Sequence, residues 1–255
     1  MNNETQACST PASPTTPATS AMSNVTPPPL AASTPSLASL PALAPIGPLK
    51  PLLRGRLHQG AFVASLFGLV WLVEASSTPR ARAVAWVYGM ASVLLYLTSS
   101  SYHVFARSPK ARKIMQRADH SMIYVLIAGT FTPAAVLAVS SGWKWVALVA
   151  VWTAAVVGIV IKIVALDRFP KLGGTLYIVL GWAGVLLVPA LWDHPGTLAL
   201  ILVGGVLYTI GATLFAMQKP VLSPRVFGYH EVWHTFGILA GVALFAANLG
   251  LIRAG

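Results

Sequence analysis

From about residue 59 onward the chain alternates long apolar runs with short polar breaks. The runs fall at about residues 59–76, 82–106, 119–139, 143–166, 172–192, 196–217 and 228–250. Each is near the about 20 residues that a helix needs to cross about 30 Å of hydrocarbon. The breaks hold proline, glycine, serine or charge: Pro79 and residues 107–117, 140–142, 167–171, 193–196 and 219–225. The pattern predicts an all-α membrane protein, a seven-transmembrane helix bundle occupying residues 49–255. Residues 1–48 read differently, as a Pro, Ser, Thr and Ala mixture with Glu4 the only charge before Lys50. Such a segment buries too little apolar surface to offset chain entropy, and is expected to be a disordered tail. It lacks the basic n-region of a secretory signal.

Composition agrees with the pattern and charge gives it a direction. The chain of 255 residues is 56% hydrophobic and 9% charged, against about 25% charged in soluble domains. The net charge of +11 could suggest nucleic acid, but the 17 Lys and Arg are sparse and lie mainly between the runs, so topology explains them better. With the N-terminus in the cytoplasm, twelve basic residues fall on inner segments, from Lys50, Arg54 and Arg56 to Lys219 and Arg225. Four fall outside, Arg80, Arg82, Lys144 and Arg253, leaving Lys162 inside a span and expected to snorkel inward. The expectation is an N-terminus in the cytoplasm, a C-terminus outside, and a multi-pass protein of the bacterial inner membrane in contact with lipid, with no nucleic-acid partner. Cys8 is the single cysteine, which excludes an intramolecular disulfide and any metal site built of thiolates.

Ionisable groups inside spans are few enough to take singly. His103 nears the end of the second run, with Ser99 four residues earlier on the same face; Asp119 and His120 open the third; His230 and His234, four residues apart, open the seventh. Under the topology above all of them lie in the inner leaflet. Three imidazoles and a water would make an open tetrahedral zinc site of the catalytic type, with Asp119 as proton carrier and Ser99 as hydrogen-bond donor. Plainer roles exist for each: His103 as a helix C-terminal partner, Asp119 as the N-cap of the third helix, His120 as an interface residue, His58 and His194 as headgroup-level side chains. Ser99, Ser100 and Ser101 are equivalent on this evidence, since small polar residues also assist helix packing. Glu231 completes a His-Glu-x-x-His signature, in which the glutamate of a metalloprotease is a general base. Because no third ligand can follow this last helix, pairing of Glu231 with Arg225 or another basic group is the favoured reading.

Taken together, Ser99, Ser100, Ser101, Tyr102 and His103; Asp119, His120 and Ser121; Ala128 to Pro133; Gly181 and Trp182; and Gly228 to His234 resemble the hemolysin III family, the bacterial branch of the progestin and adipoQ receptor superfamily. The resemblance covers roughly residues 50–252. It implies zinc held near the inner face by His103, His230 and His234, with Asp119 on the zinc water and Ser99 in the Ser-x-x-x-His position. The wider relatives include alkaline ceramidases, so the resemblance implies a zinc-dependent hydrolase of a lipid amide or ester. The alternatives are a pore-forming or membrane-perturbing cytolysin and a non-catalytic receptor or sensor, each with structural zinc.

Overall fold

The computed structural model describes residues 50–139, 141–165 and 170–255, with the side chains of residues 141, 165 and 170–174 left aside. The expected tail, residues 1–48, lies outside the described residues. Seven α-helices follow one another without strands among the described residues: α1 Arg56–Glu74, α2 Pro79–Phe105, α3 Pro109–Leu137, α4 Ser141–Ala165, α5 Pro170–Trp182, α6 Pro195–Ala216 and α7 Tyr229–Ala254. Six are long and apolar enough to cross a membrane, the exception being α5.

Two of the starts share one local device. Thr78 accepts a hydrogen bond from the Ala81 N–H (3.1 Å) and Ser108 accepts one from the Ala111 N–H (3.1 Å), each followed by a proline in the first turn. Such caps stabilise a helix start by about 1 kcal/mol, and proline there loses no hydrogen bond. Ser108 therefore corrects the expected third helix: from Pro109 onward the basic stretch 107–117 is not a loop but the first turns of α3. Asp119 is the eleventh residue of that helix and not its N-cap.

The fifth run differs as well. A continuous helix over 172–192 is replaced by α5 and two 3₁₀ turns, Ala183–Leu187 and Pro189–Leu191. Pro189 has no N–H to give the Val185 carbonyl, and the Val188 N–H takes that carbonyl at 3.1 Å in the tighter pattern. Pro133 inside α3 raises the same difficulty without ending the helix. Around it, Thr130 and Thr132 hydroxyls donate to the carbonyls of Leu126 (2.7 Å) and Ala128 (2.8 Å), and Trp152 of α4 donates to Thr132 (3.2 Å).

Packing follows small residues, because lipid tails are as apolar as leucine and burial alone gives helices little reason to meet. Ala81, Ala85, Tyr88, Ala91 and Tyr96 of α2 meet Leu72 of α1, Leu126 of α3, and Leu249 and Ile252 of α7. Tyr124 and Ala128 of α3 meet Val151 and Ala155 of α4 in a second cluster. Large apolar side chains such as Phe67, Val149, Val164, Leu202 and Val242 face outward, as a lipid-facing surface requires. Lys162 does not snorkel. It is buried, with its ammonium 5.2 Å from the centre of the Tyr177 ring.

Before α1, residues 50–55 form a strap across the end of the bundle where α2 finishes and α7 begins. The N–H groups of Leu52 and Leu53 donate to the carbonyls of Arg225 (3.0 Å) and Val226 (3.3 Å), and Lys50 donates to the His103 carbonyl. Gly55 has φ +82°, and a Cβ there would stand 2.6 Å from the His103 Cβ, so only glycine lets the strap lie this close to α2.

Candidate metal centre

The ends of two helices bring three imidazoles together. His103 lies in the last turn of α2, and His230 and His234 occupy the first two turns of α7, where the four-residue spacing stacks them on one face. One ring nitrogen from each lies within 4.8 Å of the other two, and the Nε2 atoms of His103 and His230 are 3.0 Å apart. Imidazoles bound tetrahedrally at about 2.0–2.1 Å stand roughly 3.4 Å from one another, so little movement separates this arrangement from a closed site. The Nε2 of His234 is buried without a partner, a costly condition for a polar atom and an informative one here. His234 and His103 are buried and His230 is half-buried. The donor set, all nitrogen, suits zinc and other transition metals alike.

Beside the triad, Ser99 is buried one turn before His103, with its hydroxyl near enough to the half-buried Asp119 carboxyl of α3 to favour the charged form of that group. Of the three serines the structure thus singles out Ser99. Ser100 donates instead to the Leu97 carbonyl of its own helix at 3.0 Å.

Comparison with known proteins assigns the family. A model of the family described as Haemolysin-III related matches residues 47–245. The chain belongs to that family. It is 34% identical to Hemolysin-3 of Bacillus cereus over 189 residues, which is 72% of this chain and 83% of the relative. It is 35% identical to the Hemolysin-3 homolog of Bacillus subtilis over 161 residues, 62% and 72% of the two chains. A human relative, monocyte to macrophage differentiation factor, is 22% identical over 198 residues, covering 74% of this chain and 79% of the relative.

Within this haemolysin-III chain, Glu231 is fully buried and both its oxygens are engaged. Arg54 of the strap pairs with Oε1, and the Gly228 N–H donates to Oε2 at 2.8 Å. The partner is therefore Arg54, not Arg225, and each oxygen of the carboxylate already has a partner. The Lys50 ammonium, close to Arg54 and Arg112, has its pKa lowered, first by partial desolvation and then by those two like charges.

His120 is not among the three grouped imidazoles; its carbonyl accepts from the Tyr177 hydroxyl at 3.0 Å, and its Nδ1 is buried without a partner. His194 is exposed at the start of α6. His58 contradicts its expected place among the headgroups. It is buried in the first turn of α1, with Nε2 2.8 Å from the Nδ1 of His234 and the two ring centres 3.8 Å apart. Sequence reading missed it because its partner is 176 residues away.

Proposed function

We propose that this chain is a zinc-dependent hydrolase of a lipid amide or ester, with the metal held by His103, His230 and His234. The observation that carries the reading is a buried three-imidazole cluster beside an aspartate with Ser99 near it, among helices whose outer faces are apolar. A bound zinc ion supplies a Lewis acid for the substrate carbonyl and lowers the pKa of a water to about 7. The protein's own groups do the rest. Ser99 holds the Asp119 carboxylate, which takes the proton of the attacking water and returns it to the departing nitrogen or oxygen. One water is consumed, the C–N or C–O bond breaks, and a carboxylic acid and an amine or alcohol leave. The lipid-facing surface suits a substrate that stays in the bilayer.

The reading places the centre in the inner leaflet of a bacterial inner membrane, with the N-terminus in the cytoplasm. Cys8, the only thiol, makes this testable: a membrane-impermeant maleimide should label it in inverted vesicles and not in intact spheroplasts. For the chemistry, the test is metal content and turnover of labelled lipid amides and esters by wild type, His103→Ala, His234→Ala and Asp119→Asn. Both histidine variants should lose metal, and Asp119→Asn should keep it while losing turnover. Metal unchanged in the histidine variants overturns the ligand assignment. Metal present with no lipid turned over overturns the hydrolase.

The second reading, a membrane-perturbing cytolysin, is favoured by the names of the two Bacillus relatives. Liposome leakage that survives His103→Ala would select it.

A further inference from the structure

We infer that His58 is a positioning residue for the metal centre, fixing the tautomer and orientation of His234 from a third helix. The inference rests on the reading that the triad holds a metal, and adds to it a group outside the ligand set. An imidazole that presents Nε2 to a metal carries its proton on Nδ1, and that N–H ordinarily donates to a carboxylate, a backbone carbonyl or a water. At His234 neither a carboxylate nor a backbone carbonyl takes this place among the described residues. The atom facing Nδ1 is His58 Nε2 at 2.8 Å, an acceptor when that nitrogen is bare. The opposite nitrogen of His234, Nε2, is the one left buried without a partner, and His234 brings one ring nitrogen within 4.8 Å of those of His103 and His230. The two observations fit one tautomer: proton on Nδ1 toward His58, lone pair on Nε2 toward the centre.

The surroundings of His58 hold it to this task. Its ring lies edge-on to the Tyr96 ring of α2, with centres 5.2 Å apart and planes at 75°, and it meets His234 at the same interplanar angle. Its own Nδ1 has no partner, so the protein maintains a buried and incompletely satisfied imidazole at a place where leucine would pack without that cost. His58 is not among the side chains whose ring nitrogens gather within 4.8 Å of one another, which sets it outside the ligand set. Through this contact α1 joins α2 and α7 in defining the site. His103 and His230 face each other, with their Nε2 atoms 3.0 Å apart.

The test uses the full chain in detergent, titrated with cobalt(II) and zinc against a chromophoric chelator, for wild type, His58→Leu and His58→Gln. Leucine fills the space without an acceptor, whereas glutamine restores one through its side-chain oxygen. His58→Leu should weaken metal affinity about 10- to 100-fold and shift the cobalt visible spectrum, and His58→Gln should recover most of both. Apo-protein melting, measured alongside, reports packing separately from metal affinity. In wild-type protein carrying ¹⁵N-histidine, a coupling across the N–H···N bond between the two rings is expected in the metal-loaded state, which requires no variant. Affinity and spectrum unchanged in His58→Leu, or absence of that coupling, overturns the inference while leaving the triad intact. Loss of metal stoichiometry in both variants makes His58 a ligand and overturns it too. A wild type that binds neither metal removes the inference and the ligand set together, and metal binding without lipid turnover removes only the hydrolase.

Discussion

Replacing Arg54 by methionine would leave the Glu231 carboxylate buried with a single hydrogen bond, that from the Gly228 N–H. The Arg54 side chain is 21% exposed and that of Glu231 is 0% exposed, so methionine keeps much of the packing of the stem and removes the charge. Breaking one side of a buried ion pair costs about 3–5 kcal/mol. The surviving hydrogen bond and the partial access of water to Arg54 put this case at the lower end, about 3 kcal/mol. At roughly 2–4 °C per kcal/mol for a chain of this size, the melting midpoint falls by about 6–12 °C. The assay heats detergent-solubilised protein and follows the monodisperse fraction by size-exclusion chromatography. Glu231→Gln keeps an acceptor for Gly228 and frees Arg54 to turn to water, so it loses only about 1–2 kcal/mol. The double variant should then melt near Glu231→Gln and well above the sum of the two losses, a coupling of at least about 1 kcal/mol. A midpoint for Arg54→Met within 2 °C of wild type, on the ~1 kcal/mol scale that separates surface from buried pairs, would refute the structural role. So would a Glu231→Gln variant that keeps its midpoint and metal yet loses turnover, since that is the behaviour of a general base.

Chelation of the metal should lower the wild-type midpoint, by about 5–11 °C if the metal is present at a hundred times its dissociation constant, and should leave His234→Ala unmoved; differential melting with and without chelator reads this. Ser99→Ala frees the Asp119 carboxylate to drift, so turnover should fall about 10- to 100-fold with metal content unchanged, measured by elemental analysis beside a lipid-release assay. Gly158 of α4 packs directly on the Tyr124 ring, where an added Cβ meets the Cε1 carbon. Gly158→Ala should cost about 1–3 kcal/mol by overpacking, and Tyr124→Leu in the same chain should recover part of the lost melting temperature.

The histidine cluster was readable because its chemistry is local in sequence: the four-residue spacing of His230 and His234 on one helix, and the same spacing of Ser99 and His103 on another. Six apolar runs were legible for the same reason, as length and hydropathy suffice to mark a span. The start of α3 was present in the sequence but outvoted. Ser108 and Pro109 repeat the cap of Thr78 and Pro79, yet the five charges between residues 107 and 117 suggested a loop. A helix that leaves the hydrocarbon can carry such charges without cost. The break after Trp182 follows from Pro189 through a missing N–H, an effect smaller than the apolar run that hides it. His58 and Arg54 were illegible for another reason. Each acts on α7 from the far end of the chain, His58 on His234 and Arg54 on Glu231 across 177 residues, and nothing in the intervening sequence encodes which partners the bundle will bring together.

The uninterrupted course of α3 has a mechanical consequence. Its 29 residues make a rod of about 43 Å, longer than the about 30 Å of hydrocarbon it has to cross. One rod therefore carries both the basic stretch at its start, with Lys110, Arg112, Lys113 and Arg117, and Asp119 just beyond. Displacement of the charged end by a single residue's rise, about 1.5 Å, carries the carboxylate by the same distance relative to α2 and α7. A misplacement of about 1 Å is enough to change a catalytic rate about a hundredfold. The length of this helix thus makes the charged end a lever whose short arm is the Asp119 carboxylate.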